Sequence, residues 1–125
     1  MKIETSLGDV VDRYSILTIK KQRISDQNAQ HNILREREAI REAWKQSPHP
    51  SMQDLPQWSE LLDVNLQLWE VEDALRECER RQTFDESFVT MARSVYRLND
   101  RRASLKRSIN LLLGSDFVEE KSYAP

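Results

Sequence analysis

Three observations predict an all-α fold: an up-down antiparallel helical bundle of three to four long helices with a short C-terminal tail. Apolar residues recur at three- and four-residue steps along most of the chain. Only two glycines and four prolines occur in 125 residues, and no Asn-Gly or Asp-Gly pair marks a tight hairpin. Charged residues make up 32% of the chain, which suits long helices with solvated outer faces. At this length the chain reads as one domain, residues 1–125, with helices over about 8–25, 26–45, 56–82 and 85–113 and a tail over 114–125.

In the first helix, GDVVDRYSILTIKKQRI, Ser6 or Asp9 supplies the cap. Val10, Val11, Tyr14, Leu17 and Ile24 share one face, and Ile16 and Ile19 point roughly the other way. A helix apolar on two sides is covered on two sides: either it is central to the fold, or its second face is an oligomer contact. The contact is the favoured expectation, with Ile16 and Ile19 as its residues and a homodimer as its product.

The joint SDQNAQHN (Ser25 to Asn32) has two readings. Asp26 caps a second helix beginning near Gln27, or one helix runs unbroken to about Lys45, roughly 55 Å long at 1.5 Å per residue. Either way Ala29, Ile33, Ile40, Ala43 and Trp44 face inward, with Arg35, Arg37, Glu38 and Arg41 outward. Three prolines make QSPHPSMQDLP, Gln46 to Pro56, a loop. Asp54 is expected to cap the third helix, with Pro56 close to its first turn. Trp58, Leu61, Leu62, Leu68, Trp69, Leu75 and Cys78 form its buried face, with Asn65 and Glu72 on the same stripe.

A turn at Gln82-Thr83-Phe84 folds the fourth helix back antiparallel. Asp85 is its N-cap, and Gly114 is its left-handed C′ residue. Phe88, Met91, Ala92, Val95, Ala103, Ile109 and Leu113 form its apolar stripe, which Asn99, Arg102, Lys106 and Asn110 interrupt. Polar groups on a packing face must be paired or wet, so these four mark either a surfacing stripe or a polar pocket. Arg13, Lys21, Asn65 and Glu72 are the further candidates for such a pocket. A separate ridge, Arg93, Arg97 and Arg101, runs along the helix at four-residue steps and could grip an anion or an acidic partner. The acidic line Asp63, Glu70 and Glu77 of the third helix is its expected complement. Residues 54–79 carry eight acids and one arginine, and residues 80–107 carry eight bases and three acids.

GDVVDRYSILTIKKQRI, LWEVEDALRECE, YRLNDRRASLKRSINLLLGS and EEKSY together resemble an uncharacterised family of small bacterial proteins. The resemblance spans nearly the whole chain. It implies a bacterial, stand-alone helical domain, with no activity or catalytic residues to carry over.

Composition excludes several classes. With 19 basic and 21 acidic residues, general nucleic-acid binding lacks its basic excess. The lone Cys78 forms no internal disulfide and fits a reducing compartment. With no apolar run of membrane length and no signal-like N-terminus, the expected location is the cytoplasm. No metal or other cofactor is expected: neither His31 nor His49 has a glutamate three residues before it, and no Cys pair, glycine-rich phosphate loop or nucleophile elbow is present. Glu70 and Asp73 make the E-x-x-D step of magnesium-binding helical nucleotide pyrophosphatases, but Glu38 and Glu42 lack the matching spacing. The function expected is therefore non-catalytic: a homo-oligomeric interaction or scaffolding protein that meets an unknown protein partner through the arginine ridge or the EEKSY tail. The alternative is a small helical enzyme or regulator holding an anionic metabolite or nucleotide between helices, as helical chorismate mutases do, through Arg13, Lys21, Glu72, Asn99, Arg102 and Lys106.

Overall fold

The computed structural model describes residues 1–117, and the EEKSY tail lies outside them. Four helices follow in order: α1 (Leu7–Arg23), α2 (Gln27–Lys45), α3 (Trp58–Arg81) and α4 (Glu86–Leu113), with one 3-10 turn, Met52–Asp54, between α2 and α3. No described residue is in a strand, and no helix is long and apolar enough to cross a membrane.

The caps explain most of the boundaries. Ser6 Oγ accepts from the Asp9 amide at 3.1 Å and opens α1. The joint is broken, not continuous: Asp26 accepts from the Ala29 amide at 2.9 Å, and the Gln30 side chain donates back to the carbonyls of Lys21 and Ile24 across the bend. Asp85 accepts from the Phe88 amide at 3.1 Å to start α4, and Gly114 ends it at φ 67°. One expectation fails. Asp54 closes the 3-10 turn instead of capping α3, which begins two residues later than proposed, after Gln57 and with no side-chain cap. The α3–α4 turn uses Gln82 at φ 54° in the left-handed region where glycine is usual, with the Thr83 amide reaching back to the Cys78 carbonyl at 3.0 Å.

Cross-helix bonds fix the topology. Arg13 pairs with Glu36, so α2 runs antiparallel to α1. Asn65 meets Asp12 and Ser15, and Glu70 meets Arg23, so α3 runs parallel to α1. Gln57 meets Ser108 and Glu60 meets Arg101, so α4 returns antiparallel. The bundle is up-down-up-down with α1 at its centre, touching the other three helices. Val11 and Tyr14 of α1, Trp44 of α2, Met52 and Leu55 of the loop, Leu61, Val64 and Leu68 of α3, and Leu105 and Ile109 of α4 form one core cluster. Each such large apolar side chain contributes about 2 kcal/mol by leaving water. The loop is folded onto the bundle by Met52 and Leu55 and by Trp44 Nε1, which donates to the Pro50 carbonyl at 2.8 Å. His49 is half-buried with its ring 5.5 Å from that of Trp44.

Of the two readings of the second apolar face of α1, the structure shows α1 central to the fold. Ile19 is 4% exposed and Ile16 is half-buried, and both form a wall with Leu68 and Trp69 of α3. The second apolar face of α1 is covered by its own chain at Ile19 and in part at Ile16.

The α1–α4 crossing is as close as backbone allows. A Cβ on Gly8 would lie 2.4 Å from the Lys106 carbonyl oxygen and 2.9 Å from Asn110 Oδ1. The Gly8 amide donates to that Oδ1 at 2.6 Å, and the Leu7 amide donates to Ser115 Oγ at 3.1 Å. The first amides of α1 are thereby satisfied from the far end of the chain. Gly8→Ala is expected to lower stability by about 2–3 kcal/mol through overpacking against a backbone that cannot yield; a urea-unfolding midpoint equal to wild type would contradict this contact.

Candidate functional site

Asp12 lies one helical turn inside α1, nearly fully buried at 4% exposure, and it ties three helices together. Its Oδ1 accepts from Asn65 Nδ2 of α3 and from Arg102 Nε of α4, both at 2.9 Å, while Arg102 Nη2 reaches Oδ2. Ser15 completes the cluster. Its hydroxyl is fully buried, donates to the Asp12 carbonyl at 2.7 Å, and accepts from Asn65 Nδ2 at 2.8 Å. A buried carboxylate is tolerated only when paired and hydrogen-bonded, and a forked guanidinium is its strongest partner. This Asp12–Ser15–Asn65–Arg102 clamp is the chemical centre of the fold.

The clamp borders a cleft of about 210 Å³ between α1, α3 and α4. Ile16, Ile19, Leu68 and Trp69 form its apolar side, and Asn65, Glu72, Asp73, Arg76 and Arg102 its polar side. Of the eight polar candidates from the sequence, Asn65, Glu72 and Arg102 thus converge here. The others do not. Lys106 and Asn110 belong to the α1–α4 crossing, where Lys106 Nζ lies 2.7 Å from Asp9 Oδ1 and Asn110 holds the Gly8 amide. Arg13 is on the surface with Glu36, Lys21 is exposed, and Asn99 is half-buried along α4. Of the charged residues lining the cleft, Arg102 is paired with Asp12 and Arg76 with Asp73.

The arginine ridge separates likewise. Arg101 pairs with Glu60, both half exposed. Arg93, then Arg97, hydrogen-bond toward the Tyr96 phenol and hold it below its ordinary value of 10.0. The acidic line does not meet the ridge: Asp63 accepts from Gln67, Glu70 pairs with Arg23 of α1, and Glu77 binds Arg80 and Arg81 of its own helix. Sequence reasoning missed Asp12 and Ser15. The available signal was that Ser15 stands four residues from both Val11 and Ile19, and Asp12 three before Ser15 and seven before Ile19, which puts two polar residues on the same buried arc as the apolar ones.

Fold and clamp define a small helical bundle whose interhelical register is set by one buried ion pair. The chain belongs to the family of unknown function DUF6165, whose model matches residues 1–125. No curated protein and no solved structure matches it.

Removing one partner of a buried pair strands the other, so Asp12→Ala is expected to cost about 3 kcal/mol. Glu60→Ala, which breaks the exposed pair with Arg101, should cost under about 1 kcal/mol. Equal losses in guanidinium unfolding would show that burial of the clamp carries no extra weight.

Asp9 gives a pH signature. Burial pushes its carboxyl up, but the hydrogen bond and charge of Lys106, with donors from Ser6 and Thr5, hold it below its ordinary value of 3.8. Its stabilising contribution is present above the unfolded value and is lost as pH falls through the lower folded value. Lys106→Met should therefore flatten the decline of stability between about pH 5 and about pH 2 relative to wild type, measured by urea midpoints.

Proposed function

We propose that this chain is a non-catalytic scaffolding module that acts as a homodimer, joined through the outer halves of α3 and α4. The observation that carries this reading is a gap in burial: no residue from Trp69 to Ser104 is buried. Beyond the Arg23–Glu70 pair, where α1 ends, α3 and α4 continue as a two-helix arm. Its seam of Leu75, Cys78, Phe88, Met91 and Val95 is only half covered, and Val89 and Tyr96 stand about half exposed, seven residues apart on one line of α4. Two helices alone make a thin core, and two such arms make a four-helix bundle.

Charge favours a second copy as the occupant. Among the described residues, none of Arg93, Arg97, Glu72 and Glu79 is in an ion pair. The acids are on α3 and the arginines on α4, so pairing arms about a two-fold axis would set α3 of one copy against α4 of the other with opposite charges facing. Val89→Glu with Tyr96→Glu removes no buried group and should leave helix content unchanged. Light scattering is expected to give twice the single-chain mass for wild type and the single-chain mass for the double variant. A wild type that stays monomeric up to about millimolar concentration, where even weak complexes form, or a variant that still pairs, rejects the reading.

A further inference from the structure

A hollow of about 290 Å³ lies between α2 and the loop at Ser51–Gln53. Its cationic wall is α2 itself. Arg37, Arg41 and Lys45 stand at four-residue steps, so they fall along one line of the helix, and all three line the hollow. Tyr14 and Trp44, both buried, form its base. The facing wall is Ser51, Met52 and Gln53, and it is held in place by buried Met52 and by the Trp44–Pro50 bond. Among the described residues no carboxylate lines this space.

Arg37 is fixed in position before any ligand arrives. Its guanidinium carbon lies 4.6 Å from the centre of the Tyr14 ring, and its Nε donates to Thr18 Oγ1 at 3.3 Å. It is half-buried, and among the described residues it has no ion-pair partner. A cation withdrawn from water without a counter-charge is unfavourable, and an anion in the hollow would reverse that. Arg41 and Lys45 make only loose pairs with Glu38 and Glu42, 3.7 Å each, between side chains that are all more than half exposed. Such pairs are weak and readily exchanged for a better acceptor.

We propose that this hollow binds the phosphate or pyrophosphate group of a small soluble molecule. Two guanidinium forks and an ammonium match the oxygens of such a group, and Ser51 and Gln53 on the facing wall are residues with uncharged donors. The volume is at the small end of ligand pockets, enough for the anionic head while the rest of the molecule stays outside. The proposal is independent of dimerisation, because α2 takes no part in the α3–α4 arm.

Isothermal titration of the full chain with inorganic pyrophosphate at low salt tests it. Wild type is expected to bind saturably at one site. Arg41→Glu with Lys45→Glu, both exposed and therefore compatible with folding, should weaken binding at least about tenfold, the scale of a lost charged hydrogen bond. Ser51→Glu, which puts a carboxylate into the hollow from the opposite wall, should do the same with α2 untouched. Arg93→Glu with Arg97→Glu, on the arm, should leave the affinity as it was. Absence of saturable binding in wild type overturns the proposal. So does equal affinity in the α2 double variant, or an equal loss in the arm variant, which would mark general attraction to a basic surface.

Discussion

Pairing of the Asp12 side chain, which is 4% exposed, with Arg102 and Asn65 governs how this bundle packs. An ion there demands partners from every side, and only particular registers of α3 and α4 deliver them. Asn65 has to stand level with Asp12 and Ser15 along α3, and Arg102 has to reach the same level from α4. Once those two heights are set, the rest of the packing is constrained. α4 can approach α1 to backbone contact at Gly8, Asn110 falls opposite the Gly8 amide, and Lys106 falls opposite Asp9. Apolar side chains alone would tolerate a helix sliding by one turn, because one leucine replaces another. A forked ion pair would not.

The fold class was legible in the sequence because its signals are local. Helix periodicity, the caps at Ser6, Asp26 and Asp85, and the terminal Gly114 are each written within a few neighbouring residues. The failures are equally physical. Asp54 has the chemistry of a cap, but burial of Met52 and Leu55 pulls the loop inward and spends Asp54 in a 3-10 turn. Gln82 gives no warning that it turns left-handed, because the closing of the α3–α4 hairpin imposes that conformation. Ile16 and Ile19 were recognised as a second apolar face, yet sequence cannot say whether such a face meets its own chain or another.

The site was half legible for a related reason. Asn65, Arg102 and Asn110 interrupt apolar stripes, so the need for pairing could be read from periodicity, and the structure pairs all three within the fold. Asp12 escaped because an acid among the charged residues of a helix ordinarily faces water, and that ordinary reading hides a buried one. Arg37, Arg41 and Lys45 escaped because three cations on a charged helix look like a solvated face. Only the loop folding back across α2 turns that face into the wall of a hollow, and the loop returns there for the sake of Met52 and Leu55.

A distinction between satisfied and unsatisfied groups separates stability from function in this chain. The clamp and the α1–α4 crossing are saturated: the Asp12 carboxylate has its guanidinium fork and amide donor, and the first amides of α1 have acceptors. The Asp12 carboxylate and the first amides of α1 thus have their partners inside the fold, which argues that these groups serve the fold. Two regions are different. The arm holds a long apolar seam with no buried residue, and Arg37 is a half-buried cation with no ion-pair partner among the described residues. Both are less favourable as they stand than they would be when covered, one by apolar surface and the other by negative charge. A sequence selected for stability alone would shorten the arm and replace Arg37 with an apolar residue. That contrast with so completely satisfied a centre is the physical ground on which the dimer at the arm and the anion at α2 are proposed.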